Sequence, residues 1–114
     1  MDMTVYAVQL QMKFDFETKS LVPRFPSVAK ASSWGEVVHI LPPDSHPFDT
    51  ELTLGHIHSK LKDFSDDDYL LLIGNPTLIG MASAVAAHYN NGNVRFLQWN
   101  SHHSEYYAIS AKIY

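Results

Sequence analysis

The side chains able to do chemistry gather in a few short stretches. The first is Gly74-Asn75-Pro76-Thr77, set between an apolar run and a segment rich in small residues. A strand-to-helix turn of this kind presents free N–H groups to an anion, and ligands of open parallel sheets collect beyond the carboxyl ends of the strands. Gly74 permits close approach, Asn75 suits a helix cap and Thr77 offers a hydroxyl. These three are therefore the candidate ligand-binding residues for a nucleotide or phosphometabolite. Neither G-x-G-x-x-G nor a P-loop with its lysine is present, so a plain strand-to-helix turn is the simpler reading.

Histidine is abundant, with seven in 114 residues, and His39, His46, His56 and His58 fall within twenty positions. Imidazole is a common metal ligand and acid–base group. His56 and His58 are two apart, however, and on a helix they point in different directions, whereas a helical zinc pair is four apart. A metal site would need His39, His46, Asp44 or Asp49 folded back onto them. No metal and no cofactor is expected, and exposed or locally bonded histidines are the simpler reading. Three consecutive carboxylates, Asp66-Asp67-Asp68, do not converge on a cation and lack the EF-hand spacing; a solvated acidic loop is expected. Ser83 falls about two turns inside a helix, away from the turn that a nucleophile elbow requires. It is read as a packing residue, and no catalytic residue is assigned.

The aromatic supply points elsewhere. Trp34, Trp99, Tyr106, Tyr107 and Tyr114 exceed the needs of a small core, and Trp and Tyr are favoured anchors at protein interfaces. Trp99 and Tyr106 flank a polar turn containing His102 and His103. These four are the candidate interface residues.

The elements that must position these groups follow from hydrophobic period. Thr4 to Phe14 alternates, with Tyr6, Val8, Leu10, Met12 and Phe14 on one side, as a half-buried strand does. A polar turn at Asp15–Ser20 leads back through Leu21 to Phe25, where Pro23 implies an edge. Pro26 to Trp34 has no clear period and reads as a connector. Glu36 to Leu41 is a strand, followed by a proline-rich turn at residues 42–47. Leu54, Ile57, Leu61 and Phe64 mark one face of a helix over about Asp49–Phe64, with Asp49 or Thr50 as cap. Tyr69 to Ile73, apolar on both sides, reads as a buried central strand. A helix capped by Asn75 runs from Pro76 to about Tyr89 and stops at Asn90-Asn91-Gly92-Asn93. Val94–Trp99 and Glu105–Ile113 are the last strands. The order β-β-β-α-β-α-β-β predicts one α/β domain over residues 1–114. Its mixed sheet would have a parallel centre, right-handed crossovers and antiparallel edge hairpins.

Composition narrows the function. Apolar residues make up 46% and charged residues 18%, enough for a core. A net charge of −4, from 8 basic and 12 acidic side chains, disfavours nucleic acid as a partner. The absence of cysteine removes disulfides and suits a reducing compartment. Met1-Asp2-Met3-Thr4 does not begin a signal peptide, and no stretch approaches the ~20 apolar residues of a membrane span, so no membrane partner is expected.

The stretch Asp67-Asp68-Tyr69-Leu70-Leu71-Leu72-Ile73-Gly74-Asn75-Pro76, with Ile79-Gly80 and Ala84-Val85-Ala86-Ala87 after it, resembles small proteins of tailed bacteriophages, above all those infecting cyanobacteria and other aquatic bacteria. Asn91-Gly92-Asn93-Val94-Arg95-Phe96-Leu97-Gln98-Trp99 and Thr18-Lys19-Ser20-Leu21-Val22-Pro23-Arg24-Phe25 fit the same pattern. The resemblance transfers no catalytic residue. It implies a phage protein made in the bacterial host cytoplasm that binds a host or phage protein. The leading expectation is a non-enzymatic binder that modulates or inhibits a host factor. The nucleotide or phosphometabolite binder is the alternative, and a virion structural component the third. The edge hairpins and aromatic supply also suit a homodimer through sheet extension or helix packing.

Overall fold

The computed structural model describes residues 3–114. The elements in chain order are β1 (Thr4–Gln9), β2 (Met12–Asp15), β3 (Ser20–Pro23), a 3₁₀ helix (Pro26–Trp34), β4 (Glu36–Leu41), α1 (Thr50–Leu61), β5 (Tyr69–Leu71), α2 (Pro76–Tyr89), β6 (Asn93–Asn100) and β7 (Glu105–Lys112). Five strands form the main sheet in the order β4-β1-β5-β6-β7. The first four are parallel, and β7 closes one edge antiparallel to β6. This is the mixed sheet with parallel centre and antiparallel edge that the sequence order predicts.

The period-2 pattern of the first segment has a different meaning from the one expected. β1 is a central strand with both faces covered. Tyr6 and Val8 face a core cluster containing Ile57, Leu61, Leu70 and Leu78 from the α1/α2 side. Val5 and Ala7 face a second cluster with Ala31, Tyr69, Leu71, Leu97 and Tyr106. Ala7 and Gln9, read as the solvated side, are buried. The strand breaks at Leu10–Gln11, where the Leu10 N–H donates to the Leu41 carbonyl and the Gln11 carbonyl accepts from the Arg24 N–H. The hairpin beyond the break forms as expected, with Phe14 opposite Leu21, but as a separate two-stranded ribbon rather than an extension of the sheet.

The connector Pro26–Trp34 is a 3₁₀ helix with proline in its first turn. Its side chains eclipse every three residues, and Val28, Ala31 and Trp34 accordingly point together into the second cluster. That triplet spacing is invisible to a search for periods of 2 or 3.6. On the other face, α2 packs on β1 and β6, and α1 on α2 and β4. Asn75 caps α2, its side chain accepting from the Thr77 N–H at 2.9 Å, with Pro76 next in line. Asp49 occupies the cap position of α1 without a side-chain cap bond; Thr53 instead donates its hydroxyl to the Asp49 carbonyl at 2.9 Å.

Candidate functional site

Parallel strands share one exit edge, so the loops after β1, β4, β5 and β6 all emerge at the carboxyl end of the sheet. These are the β2–β3 ribbon, the proline-rich turn, the Gly74–Thr77 turn and the turn carrying His102 and His103. The chain runs from β1 to β4 on one side, and from β4 past β1 to β5 on the other. The order therefore reverses between β1 and β5, and that reversal is where open α/β sheets place their ligands.

Gln9 occupies this point. Its side chain, 3% exposed, accepts from the Asn75 N–H at 2.9 Å. Its Nε2 donates toward the carbonyls of Pro42, Pro43 and Ser45 at 3.4, 3.3 and 3.1 Å. One amide thus ties together the exits of β1, β4 and β5. Gly74 sits against it at φ 123°, and a Cβ placed there would lie 2.5 Å from the Gln9 Cβ. Two N–H groups of the α2 start are consequently already bonded, Asn75 to Gln9 and Thr77 to the Asn75 side chain.

Beside this knot a cleft opens between the ribbon, the 3₁₀ helix and the sheet. Because β1 and β4 are joined by these two pieces rather than by a long helix, that sheet face is only partly covered. One lobe, of about 940 Å³, has walls that include Leu10, Phe14, Val22, Phe25, Val28, Val37 and Ile73, with His39 from β4 among them. The His39 Nδ1 is buried and has no hydrogen-bond partner among the described residues. Burial holds the imidazole pKa below its ordinary value of 6.5, because removing water disfavours the cation. A second lobe, of about 440 Å³, shares Gln11, Phe25, Val28 and Ile73 with the first and adds Arg24, Gln98, Gly74, Trp99 and Tyr106. Tyr106 packs edge-on to Trp99 at 4.9 Å and donates its hydroxyl to the Ser27 carbonyl at 3.1 Å, pinning β7 to the 3₁₀ helix. Burial raises the Tyr106 pKa, partly offset by that bond.

The ribbon is apolar where it borders the larger lobe, which Phe14 and Phe16 line. Phe14 and Leu21 face each other in register, and Phe16 stacks edge-on to Phe14 at 5.0 Å. Phe16 is 83% exposed, Leu21 66% and Phe14 49%. The turn is held by the Asp15 carboxylate, which accepts from the Glu17 N–H and the Thr18 hydroxyl.

The structure therefore brings Gly74, Trp99 and Tyr106 to one lobe. Asn75 and Thr77 stand at the neighbouring helix start. His102 and His103 lie exposed in the turn between β6 and β7, their N–H groups donating to the Asn100 carboxamide. His58 lies by Tyr89 and His88 on the helix side, its Nδ1 2.7 Å from the Tyr89 hydroxyl. Among the described residues no group of three or more His, Asp or Glu is placed to hold a metal ion. Asp68 departs from the expected solvated loop. It is buried and accepts from the N–H groups of Thr4 and Ser65, anchoring the start of β1. Ser83 donates its hydroxyl to the Ile79 carbonyl one turn back within α2. The cleft and the exposed Phe14–Phe16–Leu21 cluster escaped the sequence reading. The one available signal was the presence of Phe14, Phe16 and Leu21 around a polar turn, where a solvated hairpin tip needs no large apolar side chains.

Comparison with known proteins places the chain in a family. No curated protein and no solved structure matches the chain. The model of the family described as "Phage Pam3 gp32-like protein" matches residues 3–113. The chain is a small phage protein and belongs to the Phage Pam3 gp32-like family.

Proposed function

We propose that this phage protein works by binding another protein, of the host or of the phage, in the host cytoplasm, and that it modulates its partner without catalysing a reaction. The observation that carries this reading is the β2–β3 ribbon, which pairs with no strand of the main sheet and holds Phe14, Phe16 and Leu21 out to solvent. A contiguous exposed apolar patch rimmed by charge is the usual mark of an interaction surface, and aromatic side chains anchor such surfaces. Charged residues alternate with these in sequence: Lys13, Asp15, Glu17 and Lys19. Phe48, 87% exposed in the turn after β4, adds a further aromatic to the same carboxyl edge. The fitting partner presents an apolar concave surface to the ribbon. Trp99, Tyr106, His102 and His103 line or border the same edge and belong to the proposed contact region.

The nucleotide or phosphometabolite reading draws less support, because the Asn75 and Thr77 N–H groups that would greet an anion are bonded within the chain. The test is capture of partners from host and infected-cell lysates with the tagged protein and with its Phe16→Asp variant. A stoichiometric partner held by the first and lost with the second supports the reading. A thermal shift with nucleotides or sugar phosphates, and no such partner, overturns it.

A further inference from the structure

β7 forms the edge of the main sheet opposite β4, pairing with β6 on one side and with no described strand on the other. We propose that this edge joins the same edge of a second copy of the chain, antiparallel and about a twofold axis at Ala108, so that two five-stranded sheets become one. The contact goes beyond the binding reading above and uses none of the ribbon residues.

The hairpin itself decides which backbone groups face outward. The Ile113 N–H donates to the Gly92 carbonyl at 2.6 Å, and the register runs one-to-one from Asn93–Lys112 to Asn100–Glu105. Hydrogen-bonded pairs recur at every second residue of an antiparallel ladder. Tyr107, Ile109 and Ala111 therefore turn their backbone groups to β6, and Tyr106, Ala108 and Ser110 turn theirs outward. Edge strands are ordinarily protected by a proline, a bulge, an inward charge or a covering element. β7 keeps an unbroken register, holds no proline, and carries charge only at its two ends, Glu105 and Lys112. Ile109 lies opposite Phe96 and Tyr107 opposite Gln98, on the α2 side of the sheet, and both stay exposed, at 48% and 41%.

A second copy is the fitting occupant because the strand complements itself. A twofold axis normal to the sheet at Ala108 keeps each face on its own side. It sets Tyr107 opposite Ile109 of the second copy, and Ile109 opposite its Tyr107. An aromatic facing a β-branched side chain is a favourable cross-strand pair. Glu105 comes opposite Ala111 of the second copy, next to its Lys112, so acidic end meets basic end and like charges stay apart. The outward groups of Ala108 bond to their own symmetry mates, as an isologous contact requires.

Sedimentation velocity of the full chain from about 1 μM to about 1 mM should show a monomer–dimer equilibrium. Ile109→Lys, at an exposed position, should raise the dimer dissociation constant at least about tenfold, since both cross-strand pairs are lost. The chain has no cysteine, so a single engineered thiol reads the register. Under mild oxidation Ala108→Cys should cross-link two copies, because a hydrogen-bonded pair sets its Cα atoms about 5.5 Å apart, within disulfide reach. Ser110→Cys should not, because Ser110 faces Tyr106 of the second copy and lies about 14 Å from its Ser110. A monomer throughout the range, which leaves the edge to a strand of another protein, would overturn the proposal. So would a dimer that Ile109→Lys does not weaken, or one that Ser110→Cys links as readily as Ala108→Cys.

Discussion

The Gln9 Oε1 accepts the backbone N–H of Asn75 at 2.9 Å, joining the end of β1 to the cap of α2 across 66 positions of sequence. The same side chain donates toward three carbonyls of the turn after β4. Three loops that carry the candidate site are thus held by one buried amide.

Replacing that amide should be costly. Gln9→Leu keeps the volume but strands the Asn75 N–H and the turn carbonyls, and a buried unsatisfied group costs about 1–3 kcal/mol. Urea unfolding should show a loss of that size, with the slope of the transition unchanged.

Gly74→Ala should destabilise the protein by about 2 kcal/mol, through a φ that L-residues rarely adopt and a methyl driven against Gln9. A Gly55→Ala control, where a Cβ meets nothing within 4 Å, should be neutral or stabilising. Thermal melts of the pair separate the two effects.

Acid should act through His39. Its folded-state pKa lies below 6.5 because burial disfavours the cation, so between that lowered value and 6.5 the unfolded chain holds more protons than the folded one. The neutral ring's contribution is complete above pH 6.5 and is lost as pH falls through the folded-state value. Wild type should therefore lose more stability than His39→Gln between about pH 7.5 and about pH 5, read from unfolding curves at both. An equal loss in both proteins would place His39 outside the acid response.

Tyr106→Phe removes the bond to the Ser27 carbonyl and should cost about 1 kcal/mol. Since that bond ties β7 to the 3₁₀ helix, faster hydrogen exchange at Val28 and Ala31 should accompany the loss.

Much of this architecture was legible in sequence where local chemistry and fold agree. Asn75-Pro76 marks the start of α2, and the doubly apolar Tyr69–Ile73 marks a central strand, of which Tyr69–Leu71 forms β5. The alternation through Phe14 misled because it continues across the break at Leu10–Gln11, where long-range bonds to Leu41 and Arg24 redirect the chain. The triplet Val28, Ala31, Trp34 was unread because its period belongs to a rarer helix. Gly74, Trp99 and Tyr106 were singled out separately, for a ligand and for an interface, and only the strand order puts them in one lobe. In sequence His39 is a candidate metal ligand beside the α1 histidines. Its place on β4 gives it apolar neighbours instead, which no local pattern announces.

The most direct test of the binding reading compares the wild-type protein with Phe16→Asp in capture from infected-cell lysate, each bound protein quantified. Phe16 is 83% exposed, so the change should leave thermal stability within about 0.5 kcal/mol of wild type. The expected result is one stoichiometric partner retained by wild type and reduced at least tenfold by the substitution, as removal of a central aromatic anchor requires. The same partners in equal amounts from both proteins, or none from either, would contradict docking through the ribbon.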